Sequence, residues 1–492
     1  MDNDVAQAER GEHAGGETTA MPKAGLLIAV LVVSAFVMIL NETILSIALR
    51  ALTIDLGIST TTAQWLTSGF LLTMAVVIPT TGYLLERFTP RQVFLASLTL
   101  FSLGTLIGGL APNFGMLLVA RVVQACGTAV MIPLLMTSIM RLVPPQRRGA
   151  MMGTISLVIA VAPAVGPTIG GAVLASLGWR WMFWVVLPLS VIALVVGAVW
   201  LRLGGRARPV PLDAVSVVLS AFGFGGVLYG LSALGGGGAS VPPYVPIAIG
   251  LVALAAFVWR QMRLQRRDRA LLDLRPFTHR GFLVSLALTT LMMICLLGAA
   301  AILLPLYLQT VLRTGTFISG LVLLPGGLVM GLLGRPVGAM FDRFGPRPLV
   351  IPGAAAMAAS LWLFSLLGPG SPLVAVIGID MLLMAGLGLM MTPLMTSALE
   401  SLPDRLYSHG SAILATLQQV AGAFGTALLV SVAALGSVVH TASPDAGGLR
   451  LAFIVSGCVG VAALGAAFFV RRDTAASEPQ AEGTPVDALA DT

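Results

Sequence analysis

GYLLERFTPRQVF at 82–94 and GAMFDRFGPRPLV at 338–350 are two copies of one pattern. Each runs glycine, three residues, an acid, arginine, phenylalanine, one further residue and then Pro-Arg. The first copy follows the second long apolar stretch of the chain and the second copy follows the tenth. A repeat unit of six apolar spans therefore places each copy between the second and third spans of its unit. The units are then spans 1–6 and spans 9–14, with spans 7 and 8 left over as an insert. Parallel six-helix halves are an architecture of membrane transport, with the ligand site near the midplane between them.

Composition agrees with that organisation. Of 492 residues, 57% are hydrophobic and only 10% charged, and mean hydropathy is +0.96. Soluble domains carry about 25% charged residues. These figures exclude a soluble enzyme, a disordered protein and a nucleic-acid-binding domain. About 20 apolar residues span a bilayer as a helix, and the chain offers fourteen such stretches: 24–50, 62–84, 92–110, 114–141, 149–173, 181–203, 213–234, 244–262, 280–309, 317–340, 348–368, 373–399, 408–437 and 450–471. The expected fold class is an all-α membrane protein of fourteen transmembrane helices. Its divisions are a polar N-tail (1–22), a six-helix half (23–205), two inserted helices with a basic loop (206–278), a second six-helix half (279–472) and a polar C-tail (473–492), both tails read as disordered.

The charge pattern orients the chain. Basic residues gather in the even-numbered loops, among them Arg87, Arg91, Arg141, Arg147, Arg148, Arg202, Arg206 and Arg208, and most densely in WRQMRLQRRDRALLDLRPFTHR at 259–280. The opposite loops hold only Arg50, Arg180, Arg313 and Arg450. That asymmetry places both termini in the cytoplasm. The 259–280 run is read as an inside-facing loop that can also meet anionic lipid headgroups. Cys126, Cys295 and Cys458 fall in apolar runs and read as small buried hydrophobes. No signal-peptide pattern is present.

Four motifs give the chain a family resemblance: LNETILSIALR at 40–50, the repeated loop motif, ARVVQACG at 120–127, and APAVGPTIGG at 162–171 followed by GWRWMFW at 178–184. Together, in this order and on these spans, they resemble the major facilitator superfamily, and more narrowly its 14-helix drug:proton antiporters of the lincomycin-resistance type. The sequence departs from the family pattern at Asn41, where an acid is common and here follows as Glu42. It departs again at Glu86 and Thr89, where Asp and Gly are usual; the later copy keeps Asp342 and Gly345. The resemblance implies a proton-coupled multidrug efflux transporter of the bacterial inner (plasma) membrane, working by alternating access. Its partners would be a small hydrophobic substrate, protons and membrane lipids, without nucleic acid or cofactor, and the protein would act as a monomer. An exporter of one endogenous metabolite or lipid is the alternative within transport. A non-transporting membrane sensor or scaffold is the alternative outside it.

Three ionisable residues fall well inside spans: Glu42, Arg121 and Asp380. A charge at the centre of a membrane helix costs about 2.5–3.5 kcal/mol on insertion scales, so such residues default to function. Counting 1.5 Å per residue, all three lie on the order of 10–12 Å below the outer surface. Glu42 and Asp380 are expected to exchange protons as a cavity opens and closes, with Arg121 as a fixed cation. A permanent Glu42–Arg121 pair is the structural alternative.

The resemblance implies that the loop residues Gly82, Glu86, Arg87, Arg91, Gly338, Asp342 and Arg343 are a gate latch, the acid pairing across the boundary of spans 2 and 11 or with a helix dipole; arginines that only set topology are the alternative. Pro163, Gly166, Pro167, Gly170 and Gly171 form the antiporter motif of the fifth span, where small residues permit close helix approach. Asn41, Gln64, Trp65, Gln124, Tyr307, Gln418 and Gln419 are expected on the wall of an adaptable cavity, with Met74, Met292 and Met293. Glu400 reads as a solvated helix end and Asp213 as a favourable charge at a helix N-terminus. There is no P-loop, no HExxH, no paired-cysteine motif and no credible Ser-His-Asp pattern, so neither catalysis nor a metal is expected. The four histidines (13, 279, 409, 440) lie outside mid-span positions.

Overall fold

Apolar runs of this length can satisfy their backbone in lipid only as helices. The computed structural model describes residues 20–200, 213–234, 242–267, 269–437 and 445–471, and among these there is no strand. Fourteen long helices carry the fold. They are α1 (Ala20–Asp55), α2 (Thr60–Val77, running on through Ile78–Thr80 and Thr81–Arg87), α3 (Pro90–Leu110), α4 (Phe114–Leu142), α5 (Arg148–Leu177), α6 (Arg180–Trp200), α7 (Ala214–Leu234) and α8 (Tyr244–Leu264). Then follow α9 (Arg280–Met293, continuing as far as Val311), α10 (Thr316–Phe344), α11 (Arg347–Ser365), α12 (Leu373–Glu400), α13 (Tyr407–Leu435) and α14 (Ala446–Ala467). Among the described residues thirteen of them are long and apolar enough to cross a membrane; α5, with 30 residues, is the other long helix. The tails, the division at 205/206, Arg202, Arg206, Arg208 and the glycine run at 235–238 lie outside the described residues, apart from residues 20–22.

The packing itself repeats. In the first six helices α3 packs on α4 and α6, and α1 packs on α5; in the last six α11 packs on α12 and α14, and α9 packs on α13. Glycines make the equivalent contacts: a Cβ at Gly127 would fall 2.4 Å from Ser97 O, and one at Gly386 would fall 2.7 Å from Gly353 O. The two sets of helices meet most extensively where α5 runs along α10. There a Cβ at Gly338 would lie 2.0 Å from Gly149 O, and one at Gly153 would lie 2.2 Å from Gly334 O. Backbone touches backbone, which only the small-xxx-small pairs Gly149/Gly153 and Gly334/Gly338 permit.

The two motif copies leave their helices differently. Gly345 ends α10 at φ 78°, a left-handed geometry suited to glycine. Thr89 takes the corresponding place by capping α3: its hydroxyl accepts from Gln92 N at 3.3 Å, and Gln92 Oε1 accepts from Thr89 N at 3.0 Å. The departure at Thr89 is therefore a capping box in place of a glycine turn.

The inserted α7–α8 pair packs against α2 and α13, bridging the two sets. Asp213, at the start of α7, accepts two bonds from Arg260 on α8 at 2.7 and 2.8 Å and a third from Ser216 Oγ. The stretch 259–280 is not one basic loop as expected. α8 continues to Leu264, and Ala270 to Asp273 beyond it are buried, because backbone and apolar groups there have partners in the bundle. At the other end of the bundle Asp55 accepts from Trp179 Nε1 at 2.9 Å and from Arg180 Nη1 at 3.0 Å, tying α1 to α6. Cys126, Cys295 and Cys458 are unpaired; Cys295 is buried, while Cys458 is exposed rather than buried.

Hydrogen bonds from Arg260 hold the Asp213 carboxyl below its usual range. A carboxylate with a lowered folded pKa stabilises fully above its unfolded value of about 4, and that contribution is lost as pH falls through the folded value. Asp213→Asn is expected to lower the thermal unfolding midpoint at pH 7. The gap from the parent should shrink as pH drops below about 4; a gap that does not change with pH contradicts the reading.

Candidate functional site

Two cavities open within the bundle and share Glu42. The central one, about 440 Å³, is walled by α1, α2, α4 and α5 from one set and by α9, α10, α12 and α13 from the other, the same positions in each. Its size falls within the range of about 300–1,000 Å³ typical of small-molecule sites. Its wall is mostly aliphatic, with Met74, Met293, Met330, Met384 and Met391, and with Glu42, Thr128, Gln418 and Gln419 as polar groups. The second, about 370 Å³, extends sideways between α2, α7, α9 and α13 past Trp65 and Tyr229, whose rings stack at 5.8 Å. The stretch of α9 that borders both, Ile294–Leu303, is π-helical, a local widening frequent at functional sites.

Glu42 is held against this space by α5. A Cβ at Gly166 would fall 2.1 Å from Thr43 Oγ1, and one at Gly170 would fall 3.2 Å from Ile44 O. The antiporter motif thus packs on the residues beside the acid. Pro163 lines the central cavity, Gly171 has open space about it, and the Pro167 side chain lies outside the described residues.

Arg121 sits behind the wall, 1% exposed. Its guanidinium lies 4.0 Å over the Phe70 ring, Nη1 donates to Gln124 Oε1 at 3.0 Å, and Nε donates to Leu66 O at 3.3 Å. Gln124 Nε2 in turn donates to Thr105 Oγ1 at 2.9 Å. The permanent Glu42–Arg121 pair is not formed: no ion pair joins them among the described residues.

Asp380 is fully buried, and neither carboxyl oxygen has a hydrogen-bond partner. It packs on α10, where a Cβ at Gly326 would fall 2.1 Å from Oδ2. An ionised carboxylate in such a place has nothing to offset its lost hydration, so this packing accommodates the protonated acid. The three embedded residues therefore do not form one cluster. Glu42 faces the cavities, Arg121 is engaged by neutral groups, and Asp380 lies one turn from Met384 on the wall.

Several residues expected on the wall stand elsewhere. Gln124 is committed to Arg121 and Thr105. Tyr307 donates its hydroxyl to Gly368 O at 2.9 Å and packs edge-on to Phe453. Asn41 is buried beside Glu42, Gln64 is exposed and Met292 is fully buried, and none of the three is among the lining residues of these two cavities. Trp65, Gln418, Gln419, Met74 and Met293 do line them. Gln418 Nε2 is enclosed without a partner.

The loop motifs meet helix N-termini of the opposite set, on α13 and α5: of the two expected partners this is the helix dipole, not the boundary of spans 2 and 11. Asp342 accepts from Gly149 N at 2.7 Å and from Ala150 N at 2.9 Å, capping α5. Glu86 meets His409 Nε2, in the first turn of α13, at 3.1 Å, and the same ring packs on Gly82, where a Cβ would fall 2.6 Å from Nδ1. Arg91 Nη2 donates to Ala198 O at 2.7 Å, and Arg87 and Arg343 lie over Phe88 and Phe344. Glu400 is buried, not solvated. Sequence reasoning missed His409, 3% exposed, by judging it on position along the span alone. It also missed the Gly149/Gly153 and Gly334/Gly338 contact, although both pairs show the small-xxx-small spacing.

Comparisons with known proteins bear on the whole chain. The Major Facilitator Superfamily model matches residues 31–426. Lincomycin resistance protein LmrB of Bacillus subtilis (strain 168) is 40% identical over 457 residues, covering 90% of this chain and 95% of that protein. The Multidrug resistance protein B homolog of Mycobacterium tuberculosis (strain ATCC 25618 / H37Rv) is 32% identical over 394 residues, 79% of this chain and 72% of that protein. Among solved structures, the human organic anion transporter MFSD10 aligns with a TM-score of 0.64 at 16% identity, over 91% of this chain and 99% of that one. The proton:xylose symporter XylE aligns at 0.62 and 16%, over 92% and 97%. These structural likenesses concern the fold alone.

The packing of Asp380 predicts a contrast in stability. Asp380→Asn keeps the shape and should leave the unfolding midpoint of purified protein within a few degrees of the parent. Gly326→Ala drives a methyl into the carboxyl and should lower it clearly, since overpacking costs about 1–3 kcal/mol. A neutral Gly326→Ala contradicts this packing.

Proposed function

The chain belongs to the Major Facilitator Superfamily, and from that premise we propose that it is a proton-coupled exporter of hydrophobic, often cationic, drugs or antibiotics. It is a transporter rather than an enzyme, and a multi-pass membrane protein. Exchange for protons, the multidrug range, the plasma membrane and the cytoplasmic position of both termini belong to the proposal. So do the limits of the two halves, 23–205 and 279–472, with 206–278 as the insert, and the monomeric state.

The observation that carries the reading is one carboxylate on the wall of a methionine-rich cavity shared by both sets of helices. Methionine offers an adaptable, polarizable surface, suited to apolar ligands of varied shape. A lone carboxylate in such a space attracts a lipophilic cation or a proton, and one occupant excludes the other. That competition is antiport. With the arginine-rich end in the cytoplasm, the contacts of α5 with α10 and of Glu86 with His409 close the inner side. Glu42 then meets protons from outside: protonation removes the charge that holds a cation, and the substrate leaves. When the inner side opens, Glu42 gives up its proton to the cytoplasm and takes the next cation. Packing of Gly166 and Gly170 on Thr43 and Ile44 fixes the acid at the junction of the two sets throughout. Asp380 serves in this scheme as a second protonatable group, and Arg121 as the fixed cation near Glu42. Gln418 Nε2 supplies a hydrogen-bond donor to the substrate.

Cells expressing the protein should extrude a fluorescent lipophilic cation, and a protonophore should abolish extrusion while ATP is maintained. Glu42→Gln, matched for membrane level, should reduce efflux by an order of magnitude or more; undiminished proton-coupled efflux sinks the reading. Gln418→Leu should raise the half-saturating concentration of acceptor-bearing substrates by about tenfold, the worth of one lost enclosed hydrogen bond. It should spare substrates without an acceptor.

A further inference from the structure

The inserted helices have no counterpart in either six-helix set, yet a continuous polar path runs from them to the inner closure. At the base of the pair, Gln261 of α8, fully buried, donates from Nε2 to Ser216 Oγ of α7 at 2.6 Å. Its Oε1 accepts from Leu271 N at 2.9 Å and from Leu272 N at 3.2 Å. These bonds fold the segment 269–275 back into the bundle, with Leu271 and Leu272 buried. Arg275 secures the far side, its backbone N and Nε donating to the two oxygens of the buried Asp273 at 2.9 and 2.7 Å. The next amide along, Asp273 N, donates to His409 Nδ1 at 3.2 Å.

That last bond decides the chemistry of the ring. With Nδ1 accepting from the backbone, the proton resides on Nε2, which points at Glu86 Oε1 3.1 Å away. A free imidazole can turn or change tautomer and lose this contact. Here Gly82 packs on the ring at Nδ1, the same atom that the strap amide holds, and Nε2 is left to Glu86. Arg141 and Arg148, two further charged side chains at this N-terminus, donate to Ser408 and Tyr407, and Asp404, just before it, also meets Tyr407.

We propose that α7–α8 and the strap 269–275 are a positioning device for the inner gate, and that Gln261 and Asp273 N set His409 to hold Glu86 across the two sets of helices. The strap reaches the gate on the α2–α13 side; the α5–α10 side has its own closure through Asp342. The proposal rests on the reading of this end as a gate, and the test separates the two.

In the full-length chain, with Cys126, Cys295 and Cys458 replaced by alanine, spin labels at Gln146→Cys and Arg405→Cys report the separation of the two sets at the inner end; both positions are exposed. Electron–electron distance measurement on purified protein gives the closed and open populations without requiring transport. Asp342→Ala, which uncaps α5, should enlarge the open population and sets the sensitivity of the readout. Gln261→Ala and His409→Ala should each lower the closed-to-open ratio on the order of tenfold, as expected for a buried hydrogen bond left unmade. The double variant should go no further than either single one, because both act through one contact. His409→Gln, which retains an acceptor for Asp273 N and a donor for Glu86, should restore the closed population. If Gln261→Ala does not yield monodisperse protein, Ser216→Ala carries the test and should shift the populations in the same direction by less. The proposal is overturned if Asp342→Ala moves the distances while the Gln261 and Ser216 variants do not, or if the two single effects add. If Asp342→Ala moves nothing either, this end is no gate, and the proposal falls with that reading.

Discussion

The contact between Gly149/Gly153 and Gly334/Gly338 is the constraint on which the other arrangements depend. Where two helices touch backbone to backbone, their relative height is fixed, and neighbouring side chains inherit their positions. Gly149 and Ala150 present free N–H groups at the start of α5, and Asp342 lies one turn beyond Gly338, within reach of both. Helix N-termini carry four unbonded amides and a partial positive charge, so the carboxylate both satisfies and neutralises them. Further along α5, Gly166 and Gly170 seat Glu42. One helix thus carries the Asp342 contact at its start and the acid's support at its middle.

The internal duplication is obeyed in packing and broken in chemistry. Each motif acid approaches the N-terminus of the fifth helix of the opposite set. Asp342 does so by bonding amides, a contact that needs no particular side chain on α5. Glu86 does so through the imidazole of His409, which introduces a ring that must be oriented. Thr89 and Gly345 differ in the same spirit, one capping the next helix and the other turning by a left-handed backbone. The duplicated motif thus makes two different contacts, and the one made through a ring is the one the strap beside the insert touches.

Much of this was legible in the residues, for physical reasons that also mark the limit. Glu42, Arg121 and Asp380 stand out because a charge in lipid is rare, and all three proved buried or lined a cavity. The repeat at 82–94 and 338–350 led to the contact between opposite sets, though not to its partners, since a motif does not say which helix lies across from it. Gln124 and Tyr307 were misplaced because these helices are apolar on every side. With no amphipathic stripe, polarity shows that a residue faces protein but not whether it faces a cavity or a neighbour. The strap escaped because arginines at 260–275 read as an inside-facing basic loop, while its backbone amides at 271–274 are taken up by Gln261, His409 and Gln265.

The insert can be understood from the same balance of forces. Two helices added beside a twelve-helix bundle gain no hydrophobic stabilisation from one another in lipid, which is as apolar as they are. They must be held by packing and by polar contacts, and the described polar contacts are concentrated at one end, the base of the pair: Asp213 with Arg260, Ser216 with Gln261, and Gln261 with the strap. Toward the opposite end the described ring contact with α2 is the stack of Tyr229 on Trp65, with no hydrogen bond among the described ones to lock it. A pair anchored at its base to the strap and held by packing above forms the wall of the side cavity past Trp65. The insert thus meets the bundle twice, as a wall beside the cavity and as the anchor of the strap that reaches His409.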